Sequence, residues 1–232
     1  MAEVKAQVMA PDRTPTFRFA IILLALVNLV VLGTRLWPWQ NAMNLPGNGT
    51  TAVDPAISLA AYVGLGFWIG GVRTSSAKKS LLSAALLGVV AGLFLVGQVV
   101  LAARGGISDT AEPDHAQWAL LAAGALVLAL VGLRTARAGH AIGFCMVCSI
   151  WAALVASLMA TTAILAEVYF ANGQAADTAD PWKQYEGLAI GTPAMQAFVQ
   201  SLDTITAFLL IGPIIACIAG GIFANFGKPS KA

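Results

Sequence analysis

One stretch limits what this chain can fold into more than any other. From Thr204 to Gly227 no residue is charged, and Leu, Ile, Phe, Ala and Gly fill most positions. Asp203 stands at its start and Lys228 just past its end. A helix needs about 20 apolar residues to cross a hydrocarbon layer of about 30 Å, and this run is long enough. Five earlier runs have the same character, so the expected spans cover residues 17–37, 55–71, 80–103, 117–133, 141–170 and 203–227. None alternates as the strand of a membrane barrel would. Lipid offers backbone amides no partner, which leaves the helix. The expected fold is an all-α integral membrane protein, a bundle of six transmembrane helices.

Composition agrees with this. Only 10% of the 232 residues are charged and 58% are hydrophobic, where soluble domains carry about 25% charge. A net charge of +2 is too small to give the basic face that nucleic acid requires, so no nucleic-acid partner is expected. Three cysteines, an odd count, do not make a disulfide framework. The Ala- and Gly-rich composition suggests a bacterial source, and with it a multi-pass protein of the inner cell membrane.

Residues 1–16 read as a polar cytoplasmic leader and residues 228–232 as a cytoplasmic tail, around a single membrane domain over residues 17–227. Arg35, Trp37, Pro38 and Trp39 follow the first run where a signal peptide would place small residues, so that run is a retained span. The two Trp rings suit the headgroup level. The segment from Pro38 to Asp54 reads as an irregular loop. Within it Asn48-Gly49-Thr50 matches a glycosylation acceptor but is read as a turn-forming triplet. Asp54 and Pro55 then open the second span as N-cap and first helical residue. The fifth run is the longest. Before the sixth, residues 192–200 place Met195, Phe198 and Val199 on one face, which predicts a separate helix lying on the membrane surface.

Basic residues set the orientation. Lys5, Arg13, Arg18, Arg73, Lys78, Lys79, Arg134, Arg137, Lys228 and Lys231, ten of thirteen, fall on one side of a six-span chain. Arg35, Arg104 and Lys183 fall on the other. Loops rich in Lys and Arg stay in the cytoplasm, so both termini are expected there. The acids Asp54, Asp109, Glu112, Asp114, Glu167, Asp177, Asp180, Glu186 and Asp203 collect opposite, with only Glu3 and Asp12 on the basic side.

Helices in lipid pack where small residues let backbones approach. Four-residue stripes of this kind run through Gly212, Ala216, Gly220 and Ala224, through Ser80, Ala84, Gly88 and Gly92, and through Ala56, Ala60 and Gly64. Gly212, Ala216 and Gly220 are the expected contact for a membrane-protein partner or a second copy, should the stripe face outwards. Pro213 removes one hydrogen bond from the last helix and should loosen it.

Chemistry has few anchors. Cys145-Met146-Val147-Cys148 puts two thiols on one helical face, as thiol oxidoreductases do. The stretch Phe144-Cys145-Met146-Val147-Cys148-Ser149-Ile150-Trp151 resembles the active-site helix of the vitamin K epoxide reductase family. The resemblance implies quinone reduction at this pair. That family relays electrons through a second cysteine pair in an outward loop, and this chain has no cysteine there. Cys217 falls at a similar depth to Cys148, so Cys145, Cys148 and Cys217 are the candidate ligands of a thiophilic metal. Asp109, Glu112, Asp114 and His115 form an acidic turn that reads as a solvated loop. Glu167 and Asp203 sit at span ends. Asn28, Gln98, Ser149, Ser157, Thr161 and Thr162 are the polar side chains within the spans. His115 and His140 lie at opposite rims and make no haem pair, and no cofactor is expected.

The favoured reading is a non-enzymatic accessory or assembly subunit. The alternatives are a small-solute channel or transporter, with Asn28, Gln98 and Thr161 lining a tunnel, and a thiol-redox or thiol-metal protein.

Overall fold

Each apolar run becomes a helix, and no strand occurs among the described residues. The structure, a computed structural model, describes residues 14–36, 48–69, 75–104, 115–170 and 193–227. Six helices follow in order: α1 Thr14–Leu36, α2 Asn48–Ile69, α3 Ser75–Arg104, α4 His115–Arg137, α5 Ile142–Phe170 and α6 Pro193–Phe226. Four of them, α3 to α6, are long and apolar enough to cross a membrane. In α1 and α2 the apolar stretches are shorter, Arg18–Thr34 and Val53–Ile69.

Two boundaries differ from expectation. Helix α2 begins at Asn48, not at Asp54, so the Asn48-Gly49-Thr50 triplet forms its first turn and Pro55 lies inside it. Asn is itself a good helix start, and Pro55 at the edge of the apolar run costs a single amide bond. The separate surface helix expected over residues 192–200 is instead continuous with the last span. No glycine or proline interrupts the chain between Pro193 and Gly212, so α6 runs for 34 residues and is the longest helix. At 1.5 Å per residue it extends about 50 Å, well beyond the hydrocarbon thickness. The side chains of Met195, Phe198 and Val199 lie outside the described residues.

The topology is one helix ringed by five. Around α5 run α1, α3, α4, α6 and α2, each touching the next and α2 closing on α1. All five also touch α5. From Trp151 to Leu158 every residue of α5 is buried. Among the described residues, the bulky apolar side chains left exposed belong to the ring: Phe19, Leu23, Val30, Ile57, Leu86, Leu93, Leu126, Ile214 and Ile218 among them. A ring apolar outside and closed inside suits lipid as its solvent.

Small residues bring the helices together. On α3, a Cβ at Gly88 would meet the Ala152 carbonyl oxygen and come within 2.9 Å of its Cα. One at Gly92 would come within 2.6 Å of Met159 Sδ and 3.2 Å of its Cβ. On α4, Gly132 lies against the backbone of Gly220 of α6, and on α6 Gly220 lies against Ser149 of α5. A Cβ on Gly212 would stand 3.0 Å from Ser157 Oγ. These pairs also fix direction: α3 runs parallel to α5, α4 parallel to α6, and α5 antiparallel to α6.

The α4–α5 connection is a tight turn. Gly139 has φ +82°, a conformation that costs glycine little. Its amide donates to Ala136 O at 2.9 Å and the His140 amide to Thr135 O at 3.4 Å, the Schellman pair that closes a helix. At the end of the bundle that holds this turn lie Arg18, Lys78, Lys79, Arg134 and Arg137. Asp54, Glu167 and Asp203 lie at the opposite end.

Adding a methyl at Gly88 or Gly132 should destabilise the protein by about 1–3 kcal/mol, the cost of overpacking. Alanine at Gly33 or Gly64, where nothing lies within 4 Å, should be neutral. Thermal unfolding of the four variants in one detergent makes the comparison.

Candidate functional site

Two polar groupings sit inside the ring, one near the basic end and one beyond mid-depth. The first surrounds the thiol pair. Cys145 and Cys148 are both fully buried on the first turns of α5 and are not joined in a disulfide. Cys145 Sγ points to His140 O at 3.8 Å, and the Thr135 hydroxyl of α4 lies within hydrogen-bonding reach of Cys148. His140 Nε2 and Ser80 Oγ of α3 are 2.9 Å apart, and the imidazole lies 4.7 Å from the Phe144 ring, tilted by 44°. Thus the α4–α5 turn is held to α3 by a hydrogen bond and to α5 by ring contact.

Cys217 is partly exposed. Among the described residues no group of three or more His, Cys, Asp and Glu side chains stands where it could hold a metal ion. The thiols of Cys145, Cys148 and Cys217 therefore form no single cluster.

The second grouping centres on residues 157–163 of α5. The pairing of Gly92 with Ala156 and of Ser157 with Gly212 brings Gln98 of α3 and Thr206 of α6 to this depth. Asn28 of α1 donates from Nδ2 to Leu158 O at 3.3 Å. Thr162 Oγ1 lies 2.7 Å from the same carbonyl and 3.1 Å from Asn28 Oδ1, and its one proton serves one of them at a time.

Beside it, Tyr62 OH of α2 donates to Leu209 O at 2.7 Å, and Ser157 Oγ donates to Phe208 O at 2.7 Å. The Tyr62 and Ser157 hydroxyls are in contact as well. Their target carbonyls have a local cause. Pro213 has no amide hydrogen, so Leu209 O loses its helical partner. An unpaired carbonyl inside lipid is costly, and the Tyr62 hydroxyl supplies the missing donor.

Not every polar atom is paired. Gln98 Oε1, Thr161 Oγ1, Thr206 Oγ1 and, nearer the basic end, Ser149 Oγ are buried without a partner. Asn28 is used in a side-chain lock, whereas Gln98 and Thr161 carry free hydrogen-bonding capacity. Glu167 is half-buried and Asp203 exposed at the acidic end, with His115 exposed at the start of α4. Asp109, Glu112 and Asp114 lie outside the described residues.

The small-residue stripe of α6 faces inwards. Gly212 and Gly220 lie against α5 and α4, and Ala216 is buried. Gly212, Ala216 and Gly220 thus form a seam within the chain. Ala60 and Gly64 of α2 are exposed instead. Tyr62 is the residue that sequence reasoning missed. Pro213 was its only signal, announcing an orphan carbonyl without saying which helix would serve it.

Comparison with protein-family models, with curated proteins and with solved structures gave no match.

Tyr62→Phe should destabilise the protein by about 1–3 kcal/mol, the cost of a buried carbonyl left unpaired. Ser157→Ala should add less than its own separate cost, because the two hydroxyls share one site. In folded protein N-ethylmaleimide should modify Cys217 well before Cys145 and Cys148, which should react only on denaturation. Peptide mass spectrometry after timed labelling reads the order.

Proposed function

We propose that this chain crosses the bilayer six times with both ends in the cytoplasm and serves as a non-enzymatic assembly subunit of a membrane complex. The shorter apolar stretches of α1 and α2 count as spans in this reading, since α1 and α2 are helical over 23 and 22 residues. The collection of bases at one end and acids at the other supports the orientation. A bacterial inner membrane is the expected home.

One observation carries the functional part: the enclosed centre. A carrier has to part its helices around a solute near mid-depth. Here the helix at the centre is buried on all sides over Trp151–Leu158, and hydroxyl and amide donors tie it to α1 and α6 at that depth. Such a centre favours a rigid body whose outer faces do the work. Among those faces α2 offers small residues, Ala60 and Gly64, where a partner helix can approach closely.

A second reading has its own support. Gln98 Oε1, Thr161 Oγ1 and Thr206 Oγ1 share one depth and lack partners, which favours a small polar solute or water within the bundle.

Two measurements separate these readings. Purification in mild detergent should recover a stoichiometric membrane partner or a dimer, and Gly64→Leu should release it while leaving the chain folded. A lone monodisperse monomer would sink the assembly reading. Solute flux in liposomes holding the pure protein, above that of empty liposomes, would favour the second. For topology, alkaline phosphatase fused after residue 232 should be inactive, and the same enzyme inserted within residues 171–192 active.

A further inference from the structure

The basic end carries a cation, Arg18, held against aromatic and apolar side chains. Arg18 opens the apolar stretch of α1, and its guanidinium carbon lies 5.1 Å from the centroid of the Phe67 ring at the end of α2. The contact fixes the side chain over the α1–α2 seam. Ile22 packs on the same seam, 3.1 Å from where a Cβ would stand on Gly66. Arg18 Nε is buried and has no hydrogen-bond partner. Among the described residues no acid pairs with Arg18. A charge held against apolar surface without an anion is costly, so the arrangement wants one supplied from outside.

The surroundings say which kind. Phe19, Phe67 and Trp68 flank Arg18 at 67, 52 and 70% exposure, and an exposed Trp of this sort sits at the headgroup level of a bilayer. Below Phe19, Leu23, Leu26, Val27 and Val30 continue as an exposed apolar stripe down α1. Lys79, Arg134 and Arg137 are exposed at the same end of the bundle. An anion that combines a phosphate with two hydrocarbon chains meets all of these at once. A small soluble anion would leave the stripe and the rings unused.

We propose that the α1–α2 seam is a binding site for an anionic phospholipid of the cytoplasmic leaflet. Its phosphate sits on Arg18, held flat by Phe67, and its acyl chains lie along Leu23, Leu26 and Val30. Arginine suits the role because its planar fork pairs with phosphate through two parallel bonds while its face stacks on a ring. The more diffuse attraction of Lys79, Arg134 and Arg137 raises the local concentration of anionic lipid without choosing a seat for it. This inference rests on the membrane-spanning reading above.

The test uses the full chain in a neutral detergent and follows lipid adducts by native mass spectrometry during titration with phosphatidylglycerol or phosphatidylcholine. The wild type should bind the first phosphatidylglycerol at least tenfold more tightly than phosphatidylcholine. Arg18→Gln should lose about tenfold of that, the size of one charge-assisted hydrogen bond. Arg18→Lys, which keeps the charge and loses the fork, should fall between. Arg134→Gln should leave the first site nearly unchanged. Equal affinity for the two lipids would overturn the site, and so would an Arg134→Gln loss matching that of Arg18→Gln, which marks a diffuse field. Should Arg18→Gln be too unstable to purify, Phe67→Leu tests the same seat, with a loss of severalfold expected and an unchanged affinity counting against it. Alkaline carbonate washing of the membranes separates the two failures. A chain that washes off overturns the membrane reading and the site with it. A chain that stays but shows no lipid preference overturns the site alone.

Discussion

Everything in this bundle depends on how closely five helices can approach a sixth. Inside lipid there is no water to expel, so apolar surface by itself does not draw α5 to the centre. What holds it is contact, and contact at backbone range is possible only where side chains are nearly absent. Gly88 and Gly92 supply that on α3, and Ala152, Ala153, Ala156 and Ala160 supply it on α5, all buried. Gly220 does it twice, meeting Gly132 of α4 on one side and Ser149 of α5 on the other. Dispersion is weak per atom pair but sums over such an interface. The large aliphatic side chains are then left to the outer surface, where lipid tails meet them at no cost.

Close packing alone would let helices slide along their stripes, since a small-residue seam repeats every turn. Directional bonds remove that freedom. Asn28 to Leu158 O fixes α1 on α5, Ser157 to Phe208 O fixes α6 on α5, and Tyr62 to Leu209 O fixes α2 on α6. The last bond exists because Pro213 broke the helical ladder at Leu209. A helix defect has thereby become an attachment point. Registry rather than stability is the natural role of such bonds, because each is worth only about 1 kcal/mol net and less in some membrane bundles.

The sequence made some of this readable and hid the rest for physical reasons. Helix positions were legible because an apolar run long enough to cross lipid has no other regular structure open to it. The stripes at Gly88–Gly92 and Gly212–Gly220 were legible as seams, but not which way they faced. A repeat of small residues is the same whether it meets its own chain or another, and only the fold turned Gly212, Ala216 and Gly220 inwards. The place of α5 left a faint trace. Its small residues Ala152, Ala153, Ala156 and Ala160 fill one half of the helix and its bulky ones Trp151, Leu154, Val155 and Leu158 the other, so that both halves are apolar. A helix of even apolar character all round is an enclosed one. The merging of residues 193–200 into α6 went unread because amphipathic spacing predicts a face and says nothing of whether the helix bends at its end. At the candidate site, the thiols were legible as a pair by spacing. Their enclosure was not, because it depends on Thr135 and Ala136 of α4 and Ala224 of α6, which adjoin them only in the folded chain.

Charge and packing divide the bundle along its length. The locking bonds lie beyond the middle, towards Asp54, Glu167 and Asp203, where α1, α2, α5 and α6 are all tied. Towards the basic end, among the described residues, Ser80 meets His140, Thr135 reaches Cys148 and Arg18 lies over Phe67. That end is also where the positive charges collect, and cations on flexible side chains do not cross a hydrocarbon layer. In the proposed orientation, the same arginines and lysines that would keep the loops on one side of the membrane are the ones available to meet its surface. In that reading, orientation and surface chemistry are a single property of where ten of the thirteen bases stand in the chain.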